Sequence, residues 1–241
     1  MRKFGLIGFP LSHSFSKKYF EEKFKREQIA DCSYDLFELK SIEELPSLIK
    51  SNSELVGLNI TIPYKESAMP FLDFISEEAK QIGAVNCVKI IDGLLTGYNT
   101  DVFGFEQSLQ NFIAIPAHVF VLGTGGSSKA VEFVLRKLNL PFVKVSREKK
   151  AGCISYAEIA QEMKSENLFI NTTPLGMFPD VSSAPEIPYE LLSENNFLFD
   201  LVYNPEETEF LKLGKLRGTK TKNGLEMLQL QAKKSWEIWN S

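Results

Sequence analysis

The sequence predicts an α/β protein of two α/β domains, and three features of its 241 residues support this fold class. Short apolar runs alternate with amphipathic segments along the chain, which is typical of mostly parallel sheets. The pattern breaks near residues 100–115 and restarts with an apolar run and a glycine-rich loop. The last segment has apolar residues at helical spacing, which predicts a helix that packs back on the first domain. We therefore expect one domain over 1–105 plus about 224–241, and a second over 106–223.

In the first domain, strands are predicted where apolar residues alternate, and helices where they recur three or four apart. The predicted strands are 4–9, 33–39 and 55–62, and the predicted helices are 17–28, 42–50, 76–82 and 100–112. Residues 85–99 (VNCVKIIDGLLTGYN) predict a hairpin, because Asp92-Gly93 suits a type I′ turn.

The second domain begins after Pro116, which ends the preceding helix. Its predicted strands are 117–122, 142–145, 168–170, 197–201 and 219–222, and its first predicted helix is 127–138. The final helix is predicted to present one apolar stripe made of Leu225, Leu228, Ala232, Trp236 and Trp239.

Composition excludes several functional classes. The net charge of −4 offers no basic surplus for nucleic acid. Three scattered cysteines and two histidines, without a CxxC motif, predict no metal site and suit a reducing compartment. No apolar stretch is long enough for a membrane span. We expect a cytoplasmic protein whose partner is a small molecule, with no nucleic-acid or membrane partner; monomer and homodimer both remain open.

The segment VFVLGTGGSSKAV (119–131) lies where a dinucleotide-binding loop belongs, between a buried strand and a helix. Gly123 permits a tight turn, and Gly125 lets the backbone approach a pyrophosphate. The helix that starts at Ser127 offers free N–H groups to that anion. Ser128 takes the place of the third glycine. The pattern predicts a Rossmann-type domain.

The tip of the next strand indicates which dinucleotide is bound. An acidic residue there binds the ribose hydroxyls of NAD, whereas arginine accommodates the 2′-phosphate of NADP. This chain has Ser146-Arg147-Glu148 followed by two lysines. A solvated basic loop is the simpler interpretation, but the absence of an acid at the first position favours NADP.

Polar residues at predicted strand ends of the first domain suggest a ligand site. Ser14 and Ser16 precede a helix and are candidates for binding a carboxylate, although Ser16 alone could be an N-cap. In GLNITIPYKES (57–67), the alternation that buries Leu58, Ile60 and Ile62 turns Asn59 and Thr61 to the opposite face, with Lys65 just beyond.

Asp101 begins a predicted helix and by itself would be a helix cap. Together with Lys65 it gains a second interpretation, because a lysine and a carboxylate can position a reacting hydroxyl and relay its proton. Asn86 lies at the start of the hairpin and is a further polar candidate.

Taken together, these motifs resemble the shikimate dehydrogenase family over nearly the whole chain. The matching segments are the two serines, N-x-T-x-P-x-K-E (59–66), A-V-N (84–86), N-T-D-x-x-G (99–104), the glycine loop, N-T-T-P-x-G-M (171–177), D-x-x-Y-x-P-x-x-T (200–208) and G-x-x-M-L-x-x-Q-A (224–232). The chain departs from the family pattern at Lys17, Cys87 and the Ser-Arg-Glu tip, and it is somewhat short.

The resemblance implies a two-domain fold, NADP as cofactor and the reversible reduction of 3-dehydroshikimate to shikimate. It implies that Lys65 and Asp101 form the catalytic pair. By the same carry-over, the substrate would contact Ser14, Ser16, Asn59, Thr61, Asn86, Tyr203 and Gln231. The cofactor would contact Gly123, Gly125, Gly126, Ser127, Arg147, Thr172, Met177, Gly224 and Met227.

Two alternatives share the fold. A quinate/shikimate dehydrogenase that uses NAD should carry an acid at position 147, where this chain has Arg147. A catalytically inactive ligand-sensing relative should have lost Lys65 or Asp101, and both are present.

Overall fold

A computed structural model of the chain describes residues 1–11, 15–113, 118–148 and 150–241. Contacts divide the chain into two compact units: Met1–Thr100 with Gln231–Ser241, and Asp101–Leu230. The predicted role of each domain stays a prediction. Ser14, and Ala117 at the predicted start of a strand, lie outside the described residues.

The first unit is built on one sheet, whose order is β2-β1-β3-β5-β6-β4 among the described residues. β1 pairs in parallel with β2 and β3, whereas β5 is antiparallel to β3 and to β6. The strands are β1 (Arg2–Gly8), β2 (Cys32–Glu38), β3 (Leu55–Ile60), β4 (Phe74–Ile75), β5 (Cys87–Ile91) and β6 (Leu94–Tyr98).

Helices cover both faces of this sheet. They are α1 (Phe15–Arg26), α2 (Leu45–Ser51) and α3 (Glu77–Ile82), with 3-10 turns at Ile42–Glu44 and Met69–Phe71. One face packs Leu58 and Ile60 against α2 and α3. The opposite face packs Phe4 and Tyr34 against α1 and the end of the chain.

The alternation of β3 ends earlier than predicted. The strand stops at Ile60, and the Tyr64 amide closes a turn onto the Thr61 carbonyl at 2.9 Å. The prediction that Ile62 is buried is therefore wrong; it is 55% exposed and lies two residues beyond the end of the strand. The type I′ turn is confirmed by positive φ at both Asp92 (50°) and Gly93 (80°).

The second unit contains a parallel sheet, ordered β12-β11-β10-β7-β8-β9 in the part of the chain that is described. Its strands are β7 (Val119–Leu122), β8 (Phe142–Val145), β9 (Cys153–Ile154), β10 (Leu168–Asn171), β11 (Phe197–Asp200) and β12 (Lys220–Lys222). Its helices are α4 (Asp101–Gln110), α5 (Gly126–Lys137), α6 (Ile159–Glu162) and α7 (Glu209–Lys215), with 3-10 turns at Tyr156–Glu158 and Tyr189–Leu191.

The last helix, α8 (Leu225–Trp239), begins in the second unit and ends in the first. Its end packs on the first unit, as predicted. The ring centroids of Trp239 and Phe4 lie 4.9 Å apart, and Trp239 Nε1 donates to the Val88 carbonyl at 3.0 Å. The stripe prediction was partly wrong, because the buried face also carries polar residues. The buried residues of α8 are Met227, Gln231, Ala232, Ser235 and Trp239.

Across the ranges given above, the structure contains no helix long and apolar enough to cross a membrane.

Candidate active site

The loops that follow β1 and β3 meet at one edge of the first sheet, because the two strands are parallel. The Phe9 amide donates to the Ile62 carbonyl at 3.1 Å. A Cβ on Gly8 would lie 2.4 Å from Thr61 Cγ2, so only glycine lets the threonine pack there. The contact places half-buried Thr61 beside the loop that leads to the predicted serine pair.

Asn59 faces the side of the sheet opposite Leu58 and Ile60, as the alternation predicted, and is only 5% exposed. Its Oδ1 accepts from the Tyr34 hydroxyl at 2.9 Å. Its Nδ2 donates to the Asn86 carbonyl at 3.2 Å and to Ser235 Oγ at 2.9 Å. Both amide hydrogens are therefore used within the protein, and the second lone pair of Oδ1 is what Asn59 can offer a ligand.

Asn86 and Gln231 belong to the same buried polar network. The Thr100 amide donates to Asn86 Oδ1 at 2.6 Å, and the Asn86 amide lies 3.5 Å from Gln231 Oε1. Thr100 Oγ1 lies 3.3 Å from Gln231 Oε1 and 3.2 Å from Ser235 Oγ. Sequence reasoning identified Asn86 and Gln231 but missed Thr100 and Ser235, since a serine or threonine in a helical pattern carries no specific signal.

Lys65 is half-buried, and its carbonyl accepts from the Val85 amide at 2.7 Å. This bond fixes the end of segment 59–65 beside segment 84–86.

Ser16 is the second residue of α1 rather than the residue before it, so the N-cap interpretation is wrong. Asp101 is buried as the first residue of α4 and belongs to the second unit, directly after Thr100.

The glycine loop of the second unit makes the tight turn that the sequence predicted. Gly123 has a φ of +106°, and a Cβ there would lie 2.8 Å from Thr172 Oγ1. Gly125 is the N-cap of α5 and faces open space, with no atom within 4 Å of its Cβ position. α5 begins at Gly126, one residue before the prediction, followed by Ser127, and its first turn contains no acidic residue.

Ser128 explains how the fingerprint tolerates the loss of its third glycine. It is fully buried, and its hydroxyl lies 2.9 Å from the Gly123 carbonyl oxygen. A second contact joins it to Glu132 Oε1 at 3.3 Å. The serine thus closes the glycine loop with its own hydrogen bond.

Basic side chains follow β8. Arg147 and Lys150 are exposed, as is Glu148 between them. Lys150 Nζ donates to Thr124 Oγ1 at 3.0 Å, which brings an ammonium group to the glycine loop. The sequence shows that Lys150 follows β8 closely, but it does not predict the contact between Lys150 and Thr124.

A buried carboxylate organises the loops after β10 and β11. Asp200 accepts from Asn171 Nδ2 at 3.0 Å, from the Val202 amide at 3.0 Å and from Thr208 Oγ1 at 2.6 Å. Burial raises the pKa of Asp200 to about 6, and these hydrogen bonds act in the opposite direction. The carboxylate explains why Asn171, Asp200 and Thr208 recur in the motifs.

The remaining candidates of the second unit lie on these loops and on α8. Thr172 Oγ1 donates to the Leu122 carbonyl at 2.7 Å, while Met177 is 42% exposed. Tyr203 is half-buried, and Met227 is buried on α8. Gly224 has a packing role, because its Cβ would lie 2.1 Å from the Leu201 carbonyl oxygen.

Known proteins resemble this chain over nearly its full length. A family model described as the shikimate dehydrogenase substrate binding domain matches residues 6–88. A shikimate dehydrogenase (NADP(+)) from Clostridium beijerinckii is 43% identical over 253 residues, which cover 99% of this chain and 92% of the relative.

Solved structures agree. Shikimate dehydrogenase 1 from Peptoclostridium difficile is 40% identical with a TM-score of 0.89, and the match covers 100% of this chain and 92% of that one. Shikimate 5-dehydrogenase from Thermus thermophilus, in complex with NADP(H) and shikimate, is 33% identical with a TM-score of 0.86, over 99% and 93% of the two chains. On this similarity, the chain belongs to the shikimate dehydrogenase family.

Proposed function

We infer that this protein is an NADP-dependent shikimate dehydrogenase, which interconverts 3-dehydroshikimate and shikimate in aromatic amino-acid biosynthesis. The observation that carries this inference is the full-length similarity to relatives named shikimate dehydrogenase (NADP(+)), together with the presence of both Lys65 and Asp101. The substrate is a small molecule; both a monomer and a homodimer are compatible with the reaction.

The first unit supplies most of the substrate contacts in this proposal. Ser14 and Ser16 hold the carboxylate, and Thr61, Asn86 and Gln231 bind ring oxygens. Asn59 joins them as an acceptor, because both of its amide hydrogens are already engaged. From the second unit, Tyr203 adds a phenol group. The buried network around Asn59 and Asn86 supports these assignments, since it holds the amides in one orientation.

Lys65 and Asp101 handle the proton. Lys65 gives a proton to the carbonyl oxygen as it is reduced and takes it back in the reverse direction, while Asp101 orients the reacting hydroxyl and balances the ammonium charge. A backbone hydrogen bond from Val85 to Lys65 supports this role, because it fixes the position of the main chain from which the Lys65 side chain extends.

Two features of the second unit support NADP binding. Open space at Gly125 leaves room for a pyrophosphate at the start of α5, where Gly123, Gly126 and Ser127 supply backbone groups. Arg147 with Lys150 offers positive charge to a 2′-phosphate. When bound, the cofactor supplies the hydride. The proposed remaining contacts are Thr172, Met177, Gly224 and Met227.

The proposal assigns substrate binding to residues 1–105 with about 224–241, and NADP binding to 106–223. Compact units with similar limits, 1–100 plus 231–241 and 101–230, support this division. We place the enzyme in the cytoplasm, in keeping with the free thiols of Cys32, Cys87 and Cys153.

Steady-state oxidation of shikimate and quinate with NADP and NAD tests the proposal. We expect turnover of shikimate with NADP, and preferential turnover of quinate with NAD would favour the alternative enzyme. Lys65→Ala should lower kcat by about 10²–10⁴-fold with nearly unchanged substrate affinity, because a proton-transfer group is removed. Lys80→Ala, which removes an exposed lysine paired with Glu77 in the same unit, is the control. Activity of Lys65→Ala within a few-fold of wild type would contradict the catalytic role.

A further inference from the structure

Tyr34 is a fully buried residue of β2 in the same unit as the proposed substrate site. Its ring stacks on Phe20, with centroids 4.5 Å apart and planes within 12°. Packing alone explains the aromatic ring at this position. It does not explain the hydroxyl, which is carried into the interior and needs polar partners there.

The hydroxyl has two polar partners, and both are proposed to contact substrate. Tyr34 Oη donates to Asn59 Oδ1 at 2.9 Å. The Ser16 side chain is hydrogen-bonded to the same phenol oxygen; burial raises the pKa of Tyr34, and the Ser16 bond opposes that rise. Tyr34 therefore connects Ser16 on α1 with Asn59 on β3.

Hydrogen-bond chemistry fixes the direction of these contacts. The Asn86 carbonyl already accepts from the Ile60 amide and can only accept, so Asn59 must present Nδ2 to it and Oδ1 to Tyr34. Ser235 Oγ takes the second amide hydrogen. Since Tyr34 gives its single hydrogen to Asn59, the Ser16 hydroxyl is the donor to Tyr34 Oη.

We propose that Tyr34 is a positioning residue, which sets Ser16 and Asn59 in the orientations that recognise the two ends of the substrate. The inference rests on the proposed function and on the roles given there to Ser16 and Asn59. When Ser16 donates to a carboxylate, its oxygen can accept the Tyr34 hydrogen, and that donation strengthens the serine as a donor. Asn59 Oδ1 is then released to accept from a ring hydroxyl.

Kinetics of Tyr34→Phe test this role. The ring and its stacking on Phe20 are kept, and only the hydroxyl is lost. We expect the KM for shikimate to rise about fivefold to tenfold, while kcat and the KM for NADP stay within about twofold. With shikimate methyl ester, whose carboxylate charge is removed, the same substitution should raise KM by a clearly smaller factor, because Ser16 no longer makes a charge-assisted bond and only the part that acts through Asn59 remains.

Tyr64→Phe is the matched control. Tyr64 is also buried in the first unit, and its hydroxyl donates to the Leu39 carbonyl at 2.6 Å, away from Asn59. Both variants should lose thermal stability, but only Tyr34→Phe should change the KM for shikimate. Ser235→Ala serves as a second variant if Tyr34→Phe does not fold; it frees one Asn59 hydrogen and should also raise this KM.

The outcomes separate the two proposals. Wild-type protein that does not oxidise shikimate overturns the proposed function. Active wild type with an unchanged KM in folded Tyr34→Phe, or in folded Ser235→Ala if that variant is needed, overturns the positioning role. An equal KM rise in Tyr64→Phe, or an equal rise with the methyl ester, also overturns it, because the effect would not depend on the Ser16–Tyr34–Asn59 contacts.

Discussion

The ammonium nitrogen of Lys150 lies 3.0 Å from the hydroxyl oxygen of Thr124, so a charge that follows β8 is held against the glycine loop after β7. The two strands are parallel neighbours, and their carboxyl ends share one edge of the sheet. That edge is where NADP and NAD are distinguished in Rossmann-type domains.

Lys150→Ala should therefore weaken NADP binding selectively. We expect the KM for NADP to rise about fivefold to tenfold, and the KM for NAD to change by less than about twofold, because only NADP carries the 2′-phosphate. Steady-state kinetics with both cofactors measure this. Lys137→Ala, on the last turn of α5, is a charge-matched control. Equal rises for NADP and NAD would remove Lys150 from the 2′-phosphate site.

Gly125→Ala should reduce cofactor affinity while leaving the fold intact. The φ of Gly125 is −86°, which alanine adopts readily, and its Cβ would enter open space. A methyl group there occupies room that a pyrophosphate would need, so the KM values for NADP and NAD should both rise by about tenfold or more. Thermal unfolding should match wild type. Unchanged cofactor kinetics would show that no phosphate approaches this glycine.

Asp200 should make stability depend on pH. Its pKa is raised by burial from an ordinary 3.8 to about 6, so the folded protein binds this proton more tightly than the unfolded chain. The stabilisation by that proton is complete below about pH 4 and is lost as pH rises through about 6. Relative to Asp200→Asn, wild type should lose on the order of 3 kcal/mol of unfolding free energy between about pH 3 and about pH 7. Denaturant titrations of both proteins across this range measure the difference; parallel curves would contradict it.

Gly57→Ala should destabilise the first unit. A Cβ at Gly57 would lie 2.5 Å from the Trp239 ring, whose Nε1 is held by the Val88 carbonyl. Overpacking of this kind costs about 1–3 kcal/mol, which urea unfolding can resolve. The Gly125→Ala protein gives the comparison, since it adds the same methyl group without a clash. A Gly57→Ala variant as stable as wild type would mean that Trp239 packs elsewhere.

Sequence periodicity, together with the turn pair Asp92-Gly93 and the glycine-rich loop, was enough to predict the two α/β units, the type I′ hairpin and the packing of the last helix. It failed where elements are too short to show a period, as at β4 (Phe74–Ile75) and β9 (Cys153–Ile154). It also failed at Ile62, because alternation describes a strand only while the strand lasts.

The candidate site was predictable in part for a similar reason. Motifs identify candidate residues such as Lys65 and Asn86, and the roles of these residues stay predictions. Motifs do not identify the residues that hydrogen-bond to these candidates. In the sequence, Tyr34 is an ordinary aromatic residue of a strand, and Ser235 is an ordinary polar residue of a helix. Only the fold brings Ser235 within 2.9 Å of an amide 176 positions away in sequence.

The position of Trp239 against Phe4 also affects the order in which the protein can be completed during synthesis. Residues 1–100 leave the ribosome before residues 101–230, yet their buried face lacks the Trp239 ring and the Ser235 hydroxyl until residues 231–241 have also emerged. The second unit is contiguous, so it can close while the chain is still growing. The first unit can therefore be completed only after the second, although its synthesis starts earlier.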